Sequence, residues 1–285
     1  MIPPQIKSQI KKALEDKIYP NIILKNCIKI TGGCVNTSYK IITNKGDFFV
    51  KYNLKAKPNM FKAEFDGLNL IRKLNSIDTP KIIGVDNNFL LLEFIPVSNP
   101  NSIFWKNFGR QLANLHLNTN DNFGLYFDNY IGLLPQINKK YKDWIEFFIN
   151  ARLIPQLNIS CLTSSIKNDF EKLFIKLPNI LPNIQPSLIH GDLWYGNFLI
   201  KDNEMPVLID PAIYFGNREM DISMTKLFGG FHTDFYSAYN ESYPLDNNWE
   251  DRIDICNLYS LLVHINMFGK GYISQVRNIL SYYVG

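Results

Sequence analysis

Three polar side chains in the second half of the chain have the types and spacing that phosphoryl transfer requires. Asp192 and Asn197 are five residues apart, and Asp210 follows thirteen residues later, across a hairpin turn predicted at Asp202 and Asn203. Phosphoryl transfer needs a carboxylate that deprotonates the attacking hydroxyl, and a metal ion and a cation on the phosphates. Because Mg²⁺ prefers oxygen ligands, Asn197 and Asp210 are the candidate metal ligands and Asp192 the candidate base. The alternative is a tight turn in which Asp192 and Asn197 only cap backbone groups.

A lysine and a glutamate near the amino terminus would supply the cation. Lys51 lies in a run of β-forming residues, 47–52, and Glu64 flanks the apolar stripe of a helix predicted after Pro58. We expect the Lys51 ammonium to pair with nucleotide phosphates and the Glu64 carboxylate to fix it. A surface lysine and a solvated helix glutamate are the alternatives.

A glycine-containing stretch between the first two predicted strands is the candidate phosphate loop. Glycines there would let backbone N–H groups approach phosphates closely. An ordinary hairpin is the alternative. The nucleotide-binding residues predicted in this stretch are Gly32, Gly33, Cys34, Val35 and Asn36.

A short connection between the two halves of the chain would meet the base of the nucleotide. Glu93, Phe94 and Ile95 lie there, and the backbone at Glu93 and Ile95 is the predicted hydrogen-bonding partner. A plain interdomain linker is the alternative. Trp194 and Phe231 are candidates for stacking on a sugar face, although packing in a core explains them equally well.

The composition places the chain among globular proteins. It has 285 residues, 46% of them hydrophobic and 14% aromatic, which can support a core. The formal net charge of +4 is too small to argue for nucleic acid. With no signal-peptide pattern, no long apolar run and four scattered cysteines, we expect a cytoplasmic chain with reduced thiols and no membrane partner.

The order of the predicted elements favours an α+β chain with two lobes. Residues 1–95 form short β-type runs with interrupting helical stretches, and residues 96–285 are mostly helical, including one helix expected over 141–153. We therefore predict a small β-rich N-lobe over 1–95 and a larger helical C-lobe over 96–285. The cleft between the lobes is the default ligand site.

Two segments closely resemble the fructosamine/ketosamine-3-kinase family. They are His190–Asn197, which reads HGDLWYGN, and Asp210–Asp221, which reads DPAIYFGNREMD. This family belongs to the aminoglycoside-phosphotransferase-like branch of the protein-kinase fold. The similarity runs nearly end to end and includes 32–36, 60–64, 128–132, 147–157, 227–231 and 261–269.

The resemblance implies an ATP- and Mg²⁺-dependent kinase. It would phosphorylate the 3-hydroxyl of a ketosamine, on glycated small amines or glycated protein lysines, and so release the amine. It also implies that Asp192 is the base, that Asp221 braces the lobe below the site, and that Cys34 is a candidate redox switch in a monomer or a redox-sensitive homodimer. The alternatives are another small-molecule kinase of the aminoglycoside/choline kinase superfamily and a non-catalytic nucleotide-binding module.

Overall fold

The computed structural model describes residues 2–31 and 35–285. Contacts within the chain define two compact units: Met1–Phe104 with Leu199–Asp210, and Trp105–Phe198 with Pro211–Gly285. The strand pair that follows the predicted catalytic turn therefore belongs to the first unit. A single boundary after residue 95, as the sequence predicts, stays a prediction.

The first unit is built on a five-stranded antiparallel sheet. Its strand order is β1-β2-β3-β5-β4, and β2 and β3 form a hairpin, with Ile42 paired to Asp47 and Thr43 to Gly46. The elements are α1 Pro4–Lys17, β1 Leu24–Ile30, β2 Thr37–Thr43, β3 Gly46–Tyr52, α2 Met60–Leu74, β4 Ile82–Asp86 and β5 Phe89–Glu93.

Helices α1 and α2 pack against different side chains of this sheet. Side chains alternate along a strand, so Phe48 and Val50 of β3 pack in a cluster with α1. Phe49 packs in the other cluster, with α2 residues such as Phe61. Lys51 is on the same face as Phe49, which directs it toward α2 as the alternation predicts.

A second hairpin completes the first unit. Strands β9 Phe198–Lys201 and β10 Met205–Leu208 pair with each other. Asp202 and Asn203 both have positive φ, 50° and 66°, as a two-residue hairpin turn requires, and Asp and Asn tolerate that conformation. The hairpin predicted at these two residues is confirmed. It brings Asp210, which follows β10, into the first unit.

The second unit is mostly helical. Short strands β8 and β11 pair antiparallel, as do β6 and β7, and helix α9 is buried along most of its length. The elements are α3 Phe104–His116, β6 Asn129–Ile131, β7 Leu134–Gln136, α4 Trp144–Phe147, α5 Ile154–Ile159, α6 Ser164–Ile180, β8 Ser187–Ile189, β11 Tyr214–Gly216, α7 Glu219–Leu227, α8 Thr233–Ser242, α9 Ile253–Phe268 and α10 Ile273–Val284.

One predicted helix is wrong in its form. Instead of a single α-helix over 141–153, the chain forms α4, a π-helical segment Phe148–Leu153 and then α5. Pro155 has no backbone N–H, so an uninterrupted α-helical ladder cannot continue through it. The Ile154 N–H donates to the Ile149 carbonyl, five residues back. Single π-helical turns of this kind are frequent at functional sites.

Helices α7 and α8 are absent from the sequence-based expectations. Seven of the nine residues of α7 are buried, including Glu219 and Asp221, so no polar face marks it as a surface helix. Within the described residues, no helix combines the length and the apolar character needed to cross a membrane.

The packing of α1 on the sheet gives a stability prediction. Leu14 is fully buried, so Leu14→Ala removes apolar contacts and leaves a cavity, and we expect a loss of about 2–5 kcal/mol in the free energy of unfolding. Ile175, in α6, is 79% exposed, and Ile175→Ala should change it by less than about 1 kcal/mol. Urea unfolding measures both. Equal losses in the two variants would contradict the burial of α1.

Candidate active site

A buried ammonium group joins two carboxylates in the first unit. Lys51 of β3 forms an ion pair with Glu64 of α2. Its Nζ also lies 2.5 Å from Oδ1 of Asp210. The structure therefore contains the pairing of Lys51 with Glu64 that the sequence predicts, and it adds Asp210 to the same group.

The charges of this group are strongly coupled. Burial by itself would lower the pKa of Lys51, but the carboxylates of Asp210 and Glu64 outweigh it and raise that pKa above its ordinary value. Burial raises the pKa of Glu64 to about 7, against the opposing effect of Lys51, and the nearby Asp210 adds to the rise. One cation thus serves two carboxylates, and it keeps its charge at neutral pH.

Asp210 is the accessible member of the group. Its side chain is 52% exposed, whereas Lys51 is buried. Its backbone has a φ of 54°, in the left-handed region that residues other than glycine rarely adopt and that marks functional sites. The carboxylate can therefore meet a ligand while one oxygen is held by Lys51.

The turn after β8 holds the other two candidate residues, in the second unit. The amide nitrogen of Asn197 donates to the backbone carbonyl of Asp192 and to its Oδ2, both at 2.8 Å. These bonds fix the Asp192 carboxylate relative to the turn. They also leave the amide oxygen of Asn197 as the atom that can meet a cation.

Asp221 of α7 anchors the same turn from below. Its Oδ2 accepts a hydrogen bond from the His190 N–H at 2.7 Å, and its Oδ1 accepts one from the Gly191 N–H at 2.8 Å. Charge-assisted bonds of this kind are strong. These N–H groups belong to the two residues before Asp192, so Asp221 holds the turn, and its bracing of the whole lobe stays a prediction.

A buried histidine, which the sequence reasoning did not connect with the site, supports Asp221. Nε2 of His116 lies 3.1 Å from Asp221 Oδ2, and Nδ1 lies 2.8 Å from the Tyr239 hydroxyl. Burial lowers the pKa of His116, against the raising effect of Asp221. A neutral ring satisfies both contacts when Nε2 carries the hydrogen. The separation of 105 positions between His116 and Asp221 explains why no local pattern shows this pair.

The predicted nucleotide-binding residues are described only in part. Gly32, Gly33 and Cys34 lie outside the described residues. The carbonyl of Val35 and Oδ1 of Asn36 both accept hydrogen bonds from Asn53.

Two backbone N–H groups of the connection after β5 are already hydrogen-bonded, and a nucleotide-binding role for this connection stays a prediction. The N–H groups of Glu93 and Phe94 donate to the carbonyls of Lys81 and Asp47. In the described part of the chain we find no such bond from the Ile95 N–H. That group is therefore the backbone donor that a nucleotide base could use in this stretch.

The two candidate sugar-stacking residues differ in exposure. Trp194, two residues after Asp192, is 38% exposed and meets Phe228 edge to face. Phe231 is 8% exposed and packs against the rings of Trp105, Phe108 and Phe198. Trp194 therefore has a face available for a ligand, and Phe231 has little. A substrate role for either residue stays a prediction.

The family is shown by comparison with known proteins. A family model described as fructosamine kinase matches residues 6–284. The chain belongs to the fructosamine kinase family. A probable ketoamine kinase of Enterococcus faecium is 37% identical over 262 residues, 89% of this chain and 94% of that protein. The chloroplastic protein-ribulosamine 3-kinase of Arabidopsis thaliana is 35% identical over 267 residues, 90% and 81% of the two chains.

Solved structures agree with this membership and show the fold. The crystal structure of a Haemophilus somnus protein assigned as a fructosamine-3-kinase has a TM-score of 0.88 at 30% identity, over 97% of both chains. An aminoglycoside phosphotransferase has a TM-score of 0.64 at 11% identity, over 98% of this chain and 100% of that one. The predicted α+β, protein-kinase-like fold is thus confirmed.

The neutral state of His116 gives a pH prediction. Its pKa in the folded chain is below the ordinary 6.5, so as the pH falls through 6.5 the unfolded chain takes up a proton that the folded chain does not. The contribution of His116 to the free energy of unfolding is therefore present above pH 6.5 and is lost as the pH falls below it. Between pH 7 and pH 5, His116→Gln should lose less free energy of unfolding than the unmodified protein. Parallel curves from urea unfolding would contradict this.

Proposed function

We propose that this chain is an ATP-dependent ketosamine 3-kinase, a phosphotransferase that phosphorylates the sugar 3-hydroxyl of glycated amines. The observation that carries the proposal is the buried Lys51, with Glu64 and Asp210 around it, in a chain whose family is fructosamine kinase. The names of two relatives, ketoamine kinase and protein-ribulosamine 3-kinase, indicate the acceptor class.

Lys51 and Asp192 have different roles in this reaction. The Lys51 ammonium pairs with phosphate oxygens of ATP, and Glu64 keeps it in place. The Asp192 carboxylate accepts the proton of the attacking 3-hydroxyl. A bond forms between that oxygen and the γ-phosphorus, the bond from the γ-phosphorus to the bridging oxygen breaks, and ADP leaves with the electron pair.

The available oxygen donors fit Mg²⁺. Among the described residues, no group of three or more His, Cys, Asp or Glu side chains could hold a metal ion. Mg²⁺ in kinases is bound by few protein oxygens and otherwise by water and phosphate, which matches the Asn197 amide oxygen and the Asp210 carboxylate. Bound by these residues, Mg²⁺ would neutralise charge on the transferring phosphate.

Several features expected from the sequence stay predictions. They are the phosphate-loop role of residues 32–36, redox control through Cys34, the cytoplasmic location, and the choice between free and protein-bound acceptors. A non-catalytic nucleotide-binding module is less favoured, because Lys51, Asp192, Asn197 and Asp210 are all present.

Replacing the base tests the mechanism. Asp192→Asn keeps the size of the side chain but removes its ability to accept a proton, so kcat should fall by about 10²–10⁴ with the thermal unfolding temperature nearly unchanged. Asp202→Asn is the matched control, since Asp202 lies ten positions later in the sequence, in a hairpin turn where Asn also tolerates positive φ. Turnover of Asp192→Asn similar to that of Asp202→Asn would rule out Asp192 as the base.

A panel of acceptors tests the substrate class. With Mg·ATP, a fructosyl-amine and a ribulosyl-amine should each be phosphorylated with higher kcat/KM than choline, homoserine or an aminoglycoside. ADP release coupled to a spectrophotometric assay, with phosphorylated product confirmed by mass spectrometry, gives the comparison. Preference for one of the other alcohols would assign the chain to a different small-molecule kinase. Nucleotide binding without transfer to any acceptor would favour the non-catalytic module.

A further inference from the structure

A fully buried arginine lies in the π-helical segment of the second unit. Arg152 is 0% exposed, and we find no ion pair between it and an acidic side chain in the described part of the chain. Its guanidinium carbon lies 4.4 Å from the ring centroid of Phe147 and 3.8 Å from that of Tyr214. A buried charge without a counter-ion is costly, so the hydrogen bonds of the guanidinium group have to compensate for it.

Those hydrogen bonds fix the orientation of a neighbouring amide. Nη1 of Arg152 donates to the carbonyls of Ile137 and Ala151, at 2.7 and 3.0 Å. Nη2 donates to Oδ1 of Asn138 at 2.7 Å. An arginine side chain has only donors and stays protonated, so Asn138 has to present its oxygen to Arg152 and its nitrogen to the other side.

The orientation of Asn138 fixes that of a second amide. Nδ2 of Asn138 donates to Oδ1 of Asn129 at 3.0 Å. Nδ2 of Asn129 then donates to the backbone carbonyl of Ile213 at 2.8 Å. Both asparagines are buried, and each bond in the chain runs in the same direction, away from the arginine.

A second set of hydrogen bonds, from Tyr259 through Gln136, reaches the carbonyl of the preceding residue, Ala212. The hydroxyl of Tyr259 donates to Oε1 of Gln136 at 2.8 Å. Nε2 of Gln136 donates to Oδ1 of Asn129 and to the carbonyl of Ala212, at 2.8 and 2.9 Å. Two successive backbone carbonyls, those of Ala212 and Ile213, are therefore held by buried side-chain amides.

The segment with these carbonyls contacts the turn that contains Asp192. The Ala212 N–H donates to the His190 carbonyl at 2.9 Å, and Tyr214 pairs with Ile189 across strands β11 and β8. A side chain at Gly191 would collide with the Ala212 carbonyl. With so close an approach, a shift of residues 212–214 has to displace His190 and Gly191.

We propose that Arg152 is a positioning residue, which acts through Asn138 and Asn129 on residues 212–214 and so sets the place of the Asp192 turn. The proposal rests on the proposed function only in taking Asp192 as the base. Asp221 accepts hydrogen bonds from two N–H groups of this turn. The side-chain amides hold the carbonyls of Ala212 and Ile213, and the Ala212 N–H in turn donates to the His190 carbonyl. Displacement of a reacting group by about 1 Å can cost a hundredfold in rate.

Two variants with a matched control test this role. Asn129→Ala removes the donor to the Ile213 carbonyl, and Arg152→Lys keeps the charge but removes the Nη2 donor to Asn138 and is the conservative change at the arginine itself. Asn257→Ala is the control, because Asn257 is as buried as Asn129 and likewise donates to a backbone carbonyl, that of Ser223, but in helix α7. Hydrogen–deuterium exchange at the amides of His190, Gly191 and Ala212 is measured together with kcat and the KM for ATP.

In Asn129→Ala we expect faster exchange at these three amides than in Asn257→Ala, and a kcat lowered by about tenfold. The KM for ATP should change by less than about twofold, because Lys51 and Glu64 are in the other unit. Arg152→Lys should show the same pattern with smaller changes, and it decides the matter if Asn129→Ala does not fold.

Equal exchange at these amides in the tested variant and in Asn257→Ala would overturn the proposal, whatever happens to the rate. Faster exchange with an unchanged kcat would also overturn it, because greater mobility of the turn would then have no effect on catalysis. If the unmodified protein phosphorylates no ketosamine, the proposed function fails. The exchange measurement then still decides whether the network positions the turn.

Discussion

The shared contact of Lys51 with Glu64 and Asp210 is the interaction on which the first unit depends. Removing one partner of a buried ion pair leaves an uncompensated charge, at a cost of about 3–5 kcal/mol. Here one ammonium, from a strand, pairs with the carboxylate of a helix residue and with that of a residue after a hairpin. A cation fixed in this way needs little reorganisation when phosphate oxygens arrive, which is what electrostatic stabilisation of a transferring phosphoryl group requires.

The second unit also holds its candidate catalytic group in a fixed position, and it does so with hydrogen bonds. Hydrogen bonds hold its turn at 190–192 in place. The carboxylate of Asp221 accepts two backbone N–H groups, and His116 holds that carboxylate from behind. The amides of Asn129 and Gln136 donate to the carbonyls of the adjoining segment. Buried hydrogen-bond networks of this kind favour one arrangement over alternatives.

Local patterns in the sequence predict much of this chain. The alternation in β3 places Lys51 on the face toward α2, and Asp202-Asn203 marks its turn, because both features depend on neighbouring residues. The pairing of His116 with Asp221 and the chain of bonds from Arg152 to Ile213 depend on residues far apart in sequence, and no periodicity contains them. The π-helical segment escapes prediction for a related reason, since its apolar residues also fit an α-helix. Residues 32–34 lie outside the described chain, so the phosphate-loop role of residues 32–36 stays a prediction.

The central claim is that phosphate moves from ATP to the 3-hydroxyl of a ketosamine. The most direct measurement is phosphorus–proton correlated NMR of the product formed from ribulosyl-lysine and Mg·ATP. We expect a single phosphoester at O3, followed by the appearance of free lysine as the phosphorylated sugar breaks down. A phosphoester at another oxygen, or ATP consumed without any phosphorylated sugar, would contradict it.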